Sequence, residues 1–424
     1  MVHTRRSMII RVSMVVVTSG LLSAAGGAVW PYLILYLHFS RHISTPLAGT
    51  IVATEGIATL AGALVGGILV DRFGARNTAA LGTAVEILGY FLVFLARTPP
   101  LFFVASLIFG FSNVRYSARN VATSNALPGD LPATKFFSYD FMASNAGFAI
   151  GTLSGGLLID LHRPTTFLHL LVIGMVVGAL AGSAFLLLPN DRHVSEHPVD
   201  ASYREALFDP RLRRFLVFAV LLSFTSYASF DTGIPALIGI ALHKSPQVIA
   251  IGFVINPILI VLLQRPVYSL VSRMGFRRTL QLTALVFGVA WLVPLATAYR
   301  HTTTFVLVDL AVFAAIFGFG EMCYSPIRTP VLLALAPKRL RGRYFGLSQF
   351  SRALANVLGP VTATEAIGHG LAYFWLGGLF ALGSINTSIG KKLGRQVEHA
   401  TTSPRGTTAF DPEADPSGED STAE

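Results

Sequence analysis

Glu321, Tyr324 and Arg328 follow one another at intervals of three and four inside a long apolar run. On a helix that spacing puts a carboxyl, a phenol and a guanidinium on one face. Apolar surroundings oppose the charged carboxylate and a nearby guanidinium favours it, so Glu321 is the leading candidate to take up and release a proton. A fixed Glu–Arg or Glu–Tyr pair is the structural alternative. Arg115 and Arg119 stand four apart in an earlier run, and Asp140 falls about one turn into the next, at a depth where it could pair with Arg119. That cluster suits either a titrating or gating role or a salt bridge that ties two helices. Ser223, Tyr227 and Asp231 recur every four residues as a polar stripe.

Further ionisable residues sit in the same kind of surroundings: Glu55, Glu86, Arg265, Asp309, Arg352 and Glu365. Each would cost roughly 2.5–3.5 kcal/mol at the centre of a bilayer and so needs a reason to be there. Asp309 and Glu365 lie toward the ends of their runs, where water reaches. The single cysteine, Cys323, excludes an internal disulfide and a cysteine-rich metal site.

The elements that carry these residues are membrane spans. The 424 residues are 53% hydrophobic and only 13% charged, whereas a soluble surface needs about 25% charged residues. The apolar residues come in blocks of about 20, the length of a helix that crosses about 30 Å of hydrocarbon. Twelve spans are expected, at 14–39, 46–70, 78–96, 101–122, 136–159, 167–188, 215–242, 248–272, 280–299, 305–336, 345–367 and 371–389. The runs are continuous, without the period-two alternation of barrel strands. The first run continues past Ser23-Ala24-Ala25, too long for a signal peptide, and reads as an uncleaved span.

The net charge of +10 is spread over short loops, which reads as a topology signal and not as a nucleic-acid surface. Arg5, Arg6, Arg72, Arg76, Arg192, Arg211, Arg213, Arg214, Arg273, Arg277, Arg278, Lys338, Arg339, Arg341, Arg343, Lys391 and Lys392 fall on one side. Only Arg41, Arg97, Arg163, Lys244 and Arg300 fall on the other. Both termini are therefore expected in the cytoplasm. The expected organisation is a six-helix bundle over 1–188, a linker over 189–214, a second bundle over 215–390 and a disordered acidic tail over 391–424. Within the linker, 203–208 reads as a short amphipathic helix.

The two bundles are copies. Phe109-Gly110-Phe111 recurs as Phe317-Gly318-Phe319, a shift of 317 − 109 = 208. Tyr116-Ser117 and Tyr324-Ser325, Ala126-Leu127 and Ala334-Leu335, Phe137 and Phe345, and Gly151 and Gly359 keep that shift. A shift of 201 aligns Arg72-Phe73-Gly74-Ala75-Arg76 with Arg273-Met274-Gly275-Phe276-Arg277. Duplicated halves of this kind place a binding site between them, near mid-membrane.

The loop after the second span, Gly67-Ile68-Leu69-Val70-Asp71-Arg72-Phe73-Gly74-Ala75-Arg76-Asn77, is similar to the G-x-L-x-D-R-x-G-x-[RK]-[RK] motif of the major facilitator superfamily. The chain resembles that family over essentially all of 8–392. The resemblance implies an all-helical membrane protein of about twelve spans in two pseudo-symmetric bundles, with alternating access to a central cavity. It also implies that Gly67, Asp71, Arg72, Gly74 and Arg76 form a latch. Gly147, Gly151 and Gly155 resemble the fifth-span motif of drug–proton antiporters, with Thr152 in place of its proline; helix packing is the plainer reading. Ser106 replaces an arginine usual in those antiporters, and Asn125 the carboxylate that meets the loop motif.

In that fold the tenth and seventh spans line the cavity and the third, which carries Glu86, is peripheral. The resemblance thus points Glu321 and Asp231 at a cavity, Asp231 equally at the water of the outer mouth. It offers Asn113, Tyr116 and Asn120 as the matching face of the fourth span, and Trp30, Tyr32 and Tyr36 as an aromatic wall or an interfacial belt. No phosphate-binding loop is present, so no nucleotide hydrolysis is expected and the energy must come from an ion gradient or the substrate itself; no enzyme activity, metal or cofactor is expected either. The implied activity is proton-coupled export of lipophilic or amphiphilic small molecules, by a monomer in a bacterial inner membrane. Transport of a specific metabolite such as a sugar or peptide, and a non-transporting receptor on the same fold, are the alternatives.

Overall fold

The computed structural model describes residues 2–116, 118–119, 122, 133–188, 203–297, 302–337 and 340–402. Among them there is no strand. Helices occupy the expected apolar runs in order. The first half contributes Val2–Leu35, Thr45–Phe73, Ala75–Leu95, Pro99–Phe111, Ala133–Leu158 and Pro164–Leu186. The second contributes a seventh span starting at Pro210–Ser223, the long helix Pro246–Ala290 with Leu292–Thr297, then Thr303–Tyr324 with Arg328–Leu335, Arg341–Gly368 and Ala372–Thr402. Proline starts many of these helices, where its missing N–H costs nothing. Pro99, Pro164, Pro210 and Pro246 stand in first turns.

Six helical stretches among the described residues are each long and apolar enough to cross a membrane. One of them, Pro246–Thr297, has 52 residues, far more than the 20 or so that one crossing needs. It turns back at Gly275, whose φ of 74° and ψ of 167° leave the helix, and so supplies the eighth and ninth spans. Large apolar side chains such as Phe374, Leu262, Ile68 and Val17 are exposed, as expected of a surface that meets lipid tails.

The repeat read from the sequence is present in the backbone. Gly74 adopts φ 82° and ψ 155° between the second and third spans, matching Gly275 at 275 − 74 = 201. That region of φ/ψ space is essentially open to glycine alone. The same shift relates two features that no sequence pattern announced. A π-helical turn ends the first span at Tyr36–Ser40 and the seventh at Leu237–Ala241. Each is followed by a histidine in the left-handed region, His42 and His243. Helix neighbours repeat as well: first with fifth and sixth, as seventh with eleventh and twelfth.

Several boundaries differ from expectation, the first helix starting at Val2 instead of 14, and two of the differences have a packing reason. The seventh span begins at Pro210, not 215, because the Asp209 carboxylate accepts the backbone N–H of Arg211 at 2.7 Å and caps it. The twelfth helix runs on to Thr402, past the expected end at 389. Leu393 and Val397 are buried there, and Glu398 Oε1 accepts the N–H of Arg277 at 3.1 Å. The short helix Tyr203–Phe208 is where the linker predicted one. Asn120, Asn125, the surroundings of Gly67 and the side chain of Asp71 lie outside the described residues.

The halves meet on the face away from the basic turns. Gly49 packs on Thr364, Gly368 on Pro46, Gly156 on Ala250 and Gly239 on Leu35. The second span runs along the eleventh and the fifth along the eighth. On the basic-face side of these contacts lies a hollow.

Candidate functional site

The hollow has a volume of about 450 Å³. The tenth span brings Glu321, Tyr324 and Arg328 to its wall, the seventh Tyr227, the eleventh Arg352 and the fifth Phe141. Glu321 is the one carboxyl among its lining residues. The Tyr227 hydroxyl donates to Glu321 Oε1, and Asn256 Nδ2 donates to Oε2 at 2.6 Å. Both oxygens accept, an arrangement suited to a carboxylate.

Tyr324 and Arg328 are therefore not its partners. The helix breaks into a turn between Thr303–Tyr324 and Arg328–Leu335, and the i+7 relation to Arg328 is lost. The true partners come from the seventh and eighth spans, which no local spacing could reveal. Phe230, Phe253, Phe313 and Phe317 stack close by, with centroids 4.3–5.8 Å apart, and stiffen this wall.

The expected cluster of Arg115, Arg119 and Asp140 is split in two. Arg119 Nη2 donates to Asp140 Oδ2 at 2.8 Å, with both side chains buried. Arg119 Nη1 also donates to Ser19 Oγ at 2.5 Å, so one guanidinium ties the fourth, fifth and first spans. Arg115 Nη2 instead pairs with Glu86 Oε1 at 3.1 Å. Glu86 is only 4% exposed, which corrects its place as a peripheral acid. Asp309 is also buried, and accepts from Thr297 Oγ1 at 3.0 Å. Tyr116 is exposed, with the Arg119 guanidinium 4.9 Å from its ring centre. Asn113 Nδ2 donates to Thr59 Oγ1 at 3.2 Å within the first half.

The aromatic wall expected of the first span is not there. Tyr32 is fully buried and donates to the Thr152 carbonyl at 2.6 Å. Tyr36 accepts from Arg41 Nε at 2.7 Å and stacks on Phe167. Trp30 sets its edge against Phe109. All three brace the first span against its own bundle. Tyr32→Phe should cost about 1 kcal/mol of stability through the lost hydrogen bond and leave the choice of bound molecule unchanged. Chemical denaturation and a ligand-competition series would check both.

Gly147, Gly151 and Gly155 face the first span, against the carbonyls of Gly20, Ala24 and Ala28 in step. Any Cβ there would overlap backbone, so this stripe is a helix contact. In the basic loop, Arg72 is exposed beside the Phe73 ring. Arg76 donates to Asn77 Oδ1 at 3.1 Å and to the Leu188 carbonyl at 3.4 Å.

Deeper toward the contact between halves is a smaller cavity of about 110 Å³. Glu55 of the second span and Asp231 of the seventh both line it, with Thr59, Tyr227 and Asn356. Asp231 thus faces the interior, as its stripe allowed. Glu55 carried no pattern in the sequence, and only its partner across the halves gives it a setting.

This architecture is that of a transporter with two bundles about a central hollow. The profile of the Major Facilitator Superfamily matches residues 15–360, and the chain belongs to that family. The uncharacterised MFS-type transporter YttB of Bacillus subtilis (strain 168) is 24% identical over 348 residues, 80% of this chain and 84% of YttB. The multidrug resistance protein MdtH of Yersinia enterocolitica is 26% identical over 301 residues, 70% of this chain and 71% of MdtH. Among solved structures, a POT family transporter in complex with 5-aminolevulinic acid superposes with a TM-score of 0.74 at 15% identity, covering 91% of this chain and 96% of that one. The nucleoside transporter NupG gives 0.63 at 16% identity, covering 92% and 99%. At such identities the structural likeness establishes the fold alone.

Proposed function

We propose that this protein exports amphiphilic small molecules in exchange for protons, by alternating access across a bacterial inner membrane with the basic face in the cytoplasm. The observation that carries the reading is Glu321, an embedded carboxyl on the wall of the hollow, held by Tyr227 and Asn256. Family membership and the similarity to MdtH support the transport class.

The coupling follows from the hydrogen bonds. Ionised Glu321 accepts from both donors. Protonated Glu321 carries a donor of its own, and because Asn256 Nδ2 can only donate, the contact with Tyr227 is the one that must reverse or open. Tyr227 is the one with room, since it is half exposed in the hollow. It sits on a π-helical turn, Phe224–Ala228, where Ser226 leaves helical geometry at φ −111° and ψ −120°. Such turns mark places where a helix yields. Proton loading thereby biases the shape of the seventh span, which packs on the first span across the halves. Asp231 and Glu55 offer a second acceptor on the path toward the closed face.

The test uses the purified chain in liposomes that enclose a pH-sensitive dye. Amphiphilic compounds added to one side should drive proton movement that scales with their own flux. An absence of proton movement, together with no exchange of any compound, would assign the fold to a receptor or scaffold instead.

A further inference from the structure

Two guanidiniums share the main hollow with a single carboxyl, Glu321, which pairs with neither. Arg328 of the tenth span and Arg352 of the eleventh both line it, and Arg352 lies within electrostatic reach of Arg328. Among the described residues neither makes an ion pair. Among the described residues each nearby carboxyl makes its hydrogen bonds or ion pair elsewhere or lines the smaller cavity, so the two guanidiniums outnumber the one acid of the hollow. Glu321 is held by Tyr227 and Asn256. Asp140 belongs to Arg119 and Glu86 to Arg115. Asp231 and Glu55 line the smaller cavity beyond. Embedded cations are normally paired, and an unpaired one points to a ligand.

We propose that Arg328 and Arg352 form an anion-binding subsite, and that the molecule held in the hollow is an amphiphile bearing a carboxylate, sulfonate or phosphate group. The guanidinium fork matches such groups with two parallel hydrogen bonds. An anion between the two arginines also relieves their mutual repulsion. Phe141, Phe215, Phe287 and Phe345 on the same walls receive the apolar body. The volume of about 450 Å³ lies within the range of about 300–1,000 Å³ usual for small-molecule sites. For a lipophilic cation the same hollow offers one carboxyl, already held by two donors, against two guanidiniums. The other two acids, Glu55 and Asp231, line only the smaller cavity of about 110 Å³.

This inference rests on the hollow being the substrate site and deepens that reading with a chemical class. Its test needs no proton gradient, so the two can fail separately. The full chain in phosphatidylcholine nanodiscs is titrated with carboxyfluorescein, an anionic dye, and with rhodamine 6G, a cationic one, following fluorescence anisotropy. Saturable carboxyfluorescein binding is expected, weakened at least about tenfold by the pair Arg328→Gln and Arg352→Gln. The pair Arg328→Lys and Arg352→Lys should recover part of the loss, because charge returns without the fork. Rhodamine 6G should gain nothing from the arginines. The melting temperature of the Gln pair should hold or rise, since no carboxylate is orphaned. Competition by a short-chain phosphatidylglycerol, where inorganic phosphate does not compete, assigns the subsite to amphiphiles of lipid type. Competition by both assigns it to the anionic group alone, and either result keeps the subsite. The proposal is overturned if carboxyfluorescein fails to saturate, if it binds the Gln pair as tightly as the native chain, or if the Gln pair unfolds.

Discussion

Glu321→Gln is expected to uncouple transport from the proton gradient. One proton moving through 100 mV yields about 2.3 kcal/mol, which at 1.4 kcal/mol per tenfold sustains about a fifty-fold concentration ratio. Glutamine preserves the shape and one acceptor oxygen but cannot exchange a proton. Accumulation in everted vesicles should fall from tens-fold to near unity. Gradient-free exchange of labelled for unlabelled compound should persist, because the hollow is intact. Loss of exchange as well would mean that the side chain holds the substrate or the fold and does not carry the proton. Full accumulation by the variant would remove Glu321 from the coupling role altogether.

Asp140→Asn should act on stability instead. It removes the carboxylate to which the Arg119 guanidinium, only 5% exposed, donates at 2.8 Å. Breaking a buried pair from one side costs about 3–5 kcal/mol. The purified variant should melt markedly earlier, and Arg119→Gln combined with it should recover much of the loss, because the uncompensated charge is gone. The fraction that remains folded should keep the native proton dependence. A variant of native stability with lost proton dependence would move the coupling role from Glu321 to Asp140.

How legible all this is depends on range. Spans, their order and the duplication follow from features local in sequence: apolar length, basic loops and the Arg72–Arg76 echo at Arg273–Arg277. The Gly74 and Gly275 turns carry the echo into matched backbone angles. Helix facing is less accessible. Tyr32 and Tyr36 read as wall residues because the sequence says that they are aromatic and embedded, not which neighbour they touch. Arg328 reads as the partner of Glu321 only if the helix is unbroken through Ser325–Ile327, and it is not. Glu86, on a span that reads as peripheral, finds its cation on the fourth span. Asn256, the second donor to Glu321, lies 65 positions away, and nothing short of the folded packing brings them together.

Alternating access requires that the contact between halves and the hollow exchange places across the membrane. Spin-label pairs in a Cys323→Ser background test it by pulsed distance measurement. One pair, His42 with His369, spans the halves on the closed face, where both residues are exposed. The other, Phe73 with Arg273, spans them on the basic face, where both are also exposed. Under a proton gradient with transported compound, the first distance should lengthen while the second shortens, in the same population of molecules. Distances that stay fixed at both faces while transport proceeds would contradict the account.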